Sequence, residues 1–226
     1  MDPKRKTSLI FGWFFAGTFI FSIPALLFYD PLFKNPDYVL GNAFDTRIAL
    51  GALFEILLAI CNIATAIVIF PLVKRFSEAA ALGYVAVRIV ESVLILAGVI
   101  SLMSIQTLRV QSGDTVALVM AARSLTAFHD WTFLLGPQFC AGFGNGLLLG
   151  YLMYRSNLVP PRMALLGLIG GPMAFVGGIL VLFAVLEPQS VGLFALTALE
   201  IVWELAITVY AIVKGFRAES QRPSAV

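Results

Sequence analysis

The chain has 226 residues, of which 60% are hydrophobic and 12% charged, and its mean hydropathy is +0.94. Soluble domains carry about 25% charged residues, so this chain has roughly half the charge needed to coat a water-facing surface. The formal net charge is only +2, and no basic run is interleaved with aromatics, which excludes nucleic acid as a partner.

Apolar runs long enough to cross a hydrocarbon core of about 30 Å predict an all-α polytopic transmembrane bundle, with the lipid bilayer as its first partner. Six spans are predicted at about 8–29, 46–72, 81–108, 129–154, 163–186 and 192–213, forming a single transmembrane domain over 1–226. The first follows Lys4-Arg5-Lys6 and looks superficially like a secretory signal. Its apolar part of about 20 residues exceeds the 7–15 of a signal core, so it reads as a retained span. Asp30-Pro31 and Asn35-Pro36-Asp37 predict the break into the first loop, and Asp45-Thr46 supplies a cap for the second helix. Residues 115–128, capped by Asp114, are predicted as an extra helix in or near the outer interface, ahead of span four. Pro160-Pro161 and Glu187-Pro188 separate the last three spans, and Pro24, Pro137 and Pro172 mark candidate kinks. Gly142, Gly146 and Gly150, with Gly167 and Gly171, have the four-residue spacing that lets helix backbones approach closely, here within the bundle rather than across a dimer. Cys61 and Cys140 both lie in apolar runs; they read as small core residues and imply no metal site.

Orientation follows from the basic residues, which concentrate in cytoplasmic loops. With six spans, Lys4, Arg5, Lys6, Lys74, Arg75, Arg155, Arg162, Lys214, Arg217 and Arg222 share one side, whereas Lys34, Arg47, Arg109 and Arg123 share the other. Both termini are therefore expected in the cytoplasm. Treating 116–135 as a seventh span would reverse this bias.

The informative residues are the polar ones at membrane depth. With 1.5 Å per residue, Glu55, Asn62, Arg88, Glu91, Asn145, Glu200 and Glu204 all fall within about 10 Å of the bilayer centre. Glu55 and Asn62 are seven apart, Arg88 and Glu91 three, and Glu200 and Glu204 four, so each pair shares a helix face; Trp203 lies alongside the last. Exposure to lipid would cost roughly 2.5–3.5 kcal/mol per charge, so these groups are expected to meet in the bundle interior. Four glutamates face one arginine, and full ionisation would leave three excess negative charges. Protonated carboxyls, a bound cation, a cationic ligand or a water-filled cavity would relieve that excess. His129 and Asp130, near the expected level of Arg47, are candidates for the mouth of such a cavity. Plainer roles stand beside these: Arg88 and Glu91 as a packing ion pair, Asn62 and Asn145 as interhelical bridges, His129 with Trp131 as an interfacial anchor.

An acid-rich interior points first to binding or transport of a small molecule, a cation or a proton. Six spans without a clear internal repeat make a small unit for a transporter built from paired halves, so transport would call for a homodimer. An intramembrane enzyme using buried carboxylates is the second reading, but no Gly-x-Ser-x-Gly, His-Glu-x-x-His or phosphate-binding glycine loop is present, and no cofactor is implied. A structural or regulatory membrane subunit is the third.

The chain also resembles a bacterial membrane-protein family, domain of unknown function 4386, over nearly its whole length. The resemblance is carried by Asp45-Thr46-Arg47 with Gly51-Ala52-Leu53-Phe54-Glu55, by Gly83-Tyr84 with Arg88 and Glu91, and by His129-Asp130-Trp131-Thr132-Phe133-Leu134-Leu135-Gly136-Pro137. Its most specific part is Gly144-Asn145-Gly146-Leu147-Leu148-Leu149-Gly150-Tyr151-Leu152-Met153-Tyr154-Arg155, followed by Leu166-Gly167-Leu168-Ile169-Gly170-Gly171-Pro172 and Trp203-Glu204-Leu205. The resemblance implies the multi-span architecture and, with the basic inner loops, a bacterial inner membrane; it implies no chemistry.

Overall fold

A computed structural model describes residues 2–188 and 190–217, and those residues form helices and connections without a strand. Arg222, counted above on the basic side, lies outside the described residues. Helix α1 spans Pro3–Lys34, with the Asp2 side chain accepting the Lys4 N–H at 3.4 Å and Pro3 at its first position, where a missing N–H costs nothing. Contrary to the expected break at Asp30-Pro31, α1 continues through both residues. The proline removes one hydrogen bond, to the carbonyl four residues back, while the buried Tyr29 and Leu32 and an Asp30–Lys34 ion pair at 2.9 Å hold the last turn. A one-turn 3₁₀ segment at Tyr38–Leu40 leads to α2, Thr46–Val73, whose first turn is capped by Asp45 through the Arg47 N–H at 2.9 Å. Helix α3 spans Glu78–Arg109 behind the cap Ser77.

Helix α4, Thr115–Phe133, starts on Asp114 as expected but does not stop at residue 128. It runs directly into a stretch of wide π-type turns, Leu134–Leu149, and then into α5, Gly150–Ser156, which ends at Asn157 in the left-handed conformation, φ +55°. The extra helix and span four are therefore one unbroken helical path. Pro137 cannot donate to a regular α ladder, and the glycines between 136 and 146 tolerate the altered turns. Helix α6, Pro161–Leu182, stops short of the expected residue 186, and Ala184 turns the chain at φ +55°. Helix α7 spans Val191–Val213. Among the described residues, five helices, α1, α2, α3, α6 and α7, are long and apolar enough to cross a membrane.

The bundle pairs α1 with α2 and α7, α2 with α3, and α6 with α7, while the π-type stretch lies between α3 and α6. At one end Arg5 donates to the carbonyls of Ala211, Ile212 and Val213, satisfying the last turn of α7. The glycine spacing is used inside the bundle. A Cβ on Gly142 would stand 2.8 Å from the Gly171 carbonyl, and one on Gly171 would stand 2.7 Å from the Gly146 Cα. Those contacts are backbone, so neither can yield. Gly171→Ala is expected to destabilise the bundle by ~1–3 kcal/mol in thermal unfolding of the detergent-purified protein, whereas Gly113→Ala, whose Cβ would meet only Leu118 at 3.9 Å, should be near neutral.

Candidate functional site

Three groups of buried polar residues lie along the bundle. In the first, α2 and α3 bring together Asn62, Arg88 and Glu91, which are 1%, 1% and 5% exposed. The Arg88 guanidinium donates to Glu91 Oε2 at 2.6 Å, to Asn62 Oδ1 at 2.5 Å and to the Asn62 backbone carbonyl at 3.3 Å. The Asn62 amide closes the triangle by donating to Glu91 Oε1 at 3.3 Å. The Phe15 ring on α1 lies 5.9 Å from the guanidinium carbon, and Ser92 donates to the Arg88 carbonyl at 2.8 Å. The spacing of three on α3 turns both charges to one face, and the Asn62 side chain satisfies what the ion pair leaves over.

The second group joins the π-type stretch to α6 and α7. Asn145 donates through Nδ2 to Glu204 Oε1 at 2.6 Å, and the fully buried Trp203 donates its indole N–H to the Asn145 carbonyl at 2.8 Å. Glu200, one turn away, is 2% exposed, and neither carboxyl oxygen has a hydrogen-bond partner. It lies in the tight seam between the π-type stretch and α6: a Cβ on Gly146 would stand 2.5 Å from Glu200 Oε2, and one on Gly170 would stand 2.7 Å from the Glu200 N. Asn145 Oδ1, also buried, is likewise without a partner among the described residues.

Glu55 belongs to a third group rather than to the Arg88 triangle. Its Oε2 accepts the Tyr29 hydroxyl at 2.9 Å, and the Tyr29 ring meets His129 edge-on at 6.0 Å. His129 is 4% exposed, packed also against Phe33 and Phe133, and its Nδ1 has no hydrogen-bond partner. Asp130 Oδ1 stands 3.7 Å from that nitrogen, too far for a hydrogen bond. Above this group a cavity of about 340 Å³ opens between the end of α1, the 3₁₀ turn, α3 and α4. Asp130 lines it, as does Phe33, whose ring packs on His129. Arg47, placed at the mouth from sequence, instead stands exposed on the first turn of α2, away from the lining.

Residues 10–215 match the family described as domain of unknown function 4386. The chain belongs to that family. No curated protein and no solved structure matches it. The match covers every residue of the three polar groups, from Tyr29 to Glu204, so all three belong to the family region of this domain of unknown function 4386 protein.

Sequence reasoning placed Tyr84 on the stripe of Arg88 and Glu91, but it missed Tyr29, which reads as an ordinary bundle aromatic, and Gln138, whose amide donates to the Ala174 carbonyl at 2.8 Å and to Thr197 Oγ1 at 3.1 Å. A glutamine directly after Pro137 in an apolar run was the available signal. It also missed the network closing the α1–α2 loop, where Gln106 donates to the Tyr38 hydroxyl at 2.6 Å, Tyr38 donates to Asp45 at 2.9 Å, and Arg109 lies over the Tyr38 ring. Burial is the largest influence on the Tyr38 phenol and pushes its pKa above the ordinary value. Among the described residues, no three of His, Cys, Asp and Glu come together in a group that could hold a metal.

Removing one member of a buried pair strands the other. Arg88→Met alone should cost ~3–5 kcal/mol in thermal unfolding. The double variant Arg88→Met with Glu91→Leu should lose distinctly less, because no charge is left unpaired.

Proposed function

We propose that this protein is a six-span, N-in/C-in protein of the bacterial inner membrane, and that its interior binds a proton or a small cation at Glu200 and Glu204. The sixth crossing is the part of the 115–156 helical path over about 129–154, with 115–128 at the outer interface, and the basic bias of the loops supports the orientation. The observation that carries the binding reading is Glu200: a carboxyl 2% exposed, without a donor on either oxygen, one turn from a second carboxyl. An ionised carboxylate left so in a low-dielectric interior costs several kcal/mol unless something neutralises it. Arg88 is already committed to Glu91 and Asn62, and Asn145 serves Glu204 alone.

The seam is narrow, which favours a small occupant. Close contacts at Gly146, Gly170 and Gly171, where even a Cβ would clash, exclude a bulky molecule from the seam. If occupancy drives transport of a further substrate, a homodimer would provide the paired halves that a single bundle lacks. The cation and the proton compete for the same oxygens, so cation affinity rises with pH.

Infrared difference spectroscopy of the reconstituted protein tests this. The carbonyl band of a protonated carboxyl should appear on acidification and shrink when sodium or potassium is added at constant pH. Glu200→Gln should remove both responses while Glu55→Gln leaves them. A band that neither acid nor alkali cations change would overturn the proposal.

A further inference from the structure

The cavity at the α1–α2 loop end is separate from the acid pair, and its lining has a distinctive polarity. Leu32, Phe33, Val39 and Ile105 make its walls apolar, while α4 contributes Arg123 and Asp130. These two are seven residues apart on α4, about two turns, which puts them on one face roughly 10 Å apart along the axis. Both are exposed residues that reach into the lining, so the cavity presents a cation and an anion at opposite ends. Among the described residues Arg123 makes no hydrogen bond or ion pair, whereas Arg109 is engaged with the Tyr38 and Ala43 carbonyls, and Lys34 with Asp30. Asp130 approaches only the ring of His129, at 3.7 Å.

The surroundings place the cavity at the level of lipid headgroups. It opens where α1 ends and α2 begins, beside the exposed Phe128 and Trp131 of α4, the aromatic signature of a membrane–water boundary. On the bilayer side the exposed Leu26 and Leu27 continue down α1 as an apolar track. A volume of about 340 Å³ is that of a small-molecule site.

We propose that this cavity binds a phosphate ester carrying a primary ammonium, with the phosphate on the Arg123 guanidinium and the ammonium on the Asp130 carboxylate. A guanidinium fork matches a phosphate in two parallel hydrogen bonds, and a primary ammonium gives the carboxylate a donor that a quaternary one does not. The source favoured by the position is the headgroup of phosphatidylethanolamine, its acyl chains lying along α1. A soluble phosphoethanolamine ester offers the same chemistry.

The test is native mass spectrometry of the full chain released from nanodiscs containing equal phosphatidylethanolamine, phosphatidylcholine and phosphatidylglycerol, with wild type beside Arg123→Gln and Asp130→Asn. Both side chains are exposed, so unchanged thermal midpoints verify that the variants fold. Wild type should retain phosphatidylethanolamine over the other two lipids; Asp130→Asn should lose that preference by about tenfold, the factor expected for one charge-assisted hydrogen bond, and Arg123→Gln, which removes the contact to the phosphate all three share, should lower retention of phosphatidylethanolamine itself by about tenfold. Thermal stabilisation in detergent by glycerophosphoethanolamine, lost in both variants, would support the site with the soluble ester as a ligand; no such stabilisation beside a retained lipid would support the lipid itself. Equal retention of the three lipids without stabilisation by the soluble ester, or wild-type behaviour in both variants, would overturn it.

Discussion

Charge inside this bundle cannot be solvated by water, so it has to be solvated by the protein, and the packing around Arg88 follows from that requirement. A guanidinium 1% exposed has to spend its donors on Glu91 and Asn62, and meeting those partners fixes how α3 faces α2. The same group brings Phe15 of α1 to its face. Three helices are thereby referred to one side chain. The net stability gained from such a buried pair is small, and its effect is mainly to specify the arrangement, since a misregistered partner would leave a charge unmatched.

The second constraint is steric. Gly142 and Gly146 on the π-type stretch and Gly170 and Gly171 on α6 bring backbones closer than any larger residue would allow. Gln138 and Trp203 then stitch the stretch to α6 and α7 through hydrogen bonds to carbonyls and a hydroxyl. The result is a rigid seam, and Glu200 is set within it. Tight packing that would normally exclude an ionisable group here encloses one, and π-type geometry is frequent at functional positions. The structural economy of the seam thus makes the unsatisfied carboxyl conspicuous: it contributes nothing to the hydrogen bonding that surrounds it.

Depth and helical face were legible in the sequence because they depend only on spacing. That is why Asn62, Arg88, Glu91, Asn145 and Glu204 could be placed together before any fold was known. Which helix neighbours which was not legible, and this is where Glu55 went astray: it shares a face with Asn62, yet a shift of seven residues along α2 carries it out of reach of Arg88 and beside Tyr29 and His129. Tyr29 and Tyr38 were also poorly legible, since a tyrosine serves equally as a core ring, a boundary anchor or a hydrogen-bond donor. Pro31 and Pro137 illustrate a third limit. A proline removes one hydrogen bond, and whether the helix ends, as a break at Asp30-Pro31 would have it, or persists depends on tertiary packing that local sequence does not encode.

Under the proposed function, Glu200 is kept for an occupant and not for the stability of the fold. Thermal unfolding of Glu200→Met beside wild type, in the same detergent and without added cations, addresses it directly. Methionine keeps the volume and removes the unsatisfied oxygens, so the variant should be more stable by ~1–3 kcal/mol, the usual cost of a buried polar group without a partner. A variant less stable than wild type would contradict the account, because it would mean that the carboxyl supports the bundle.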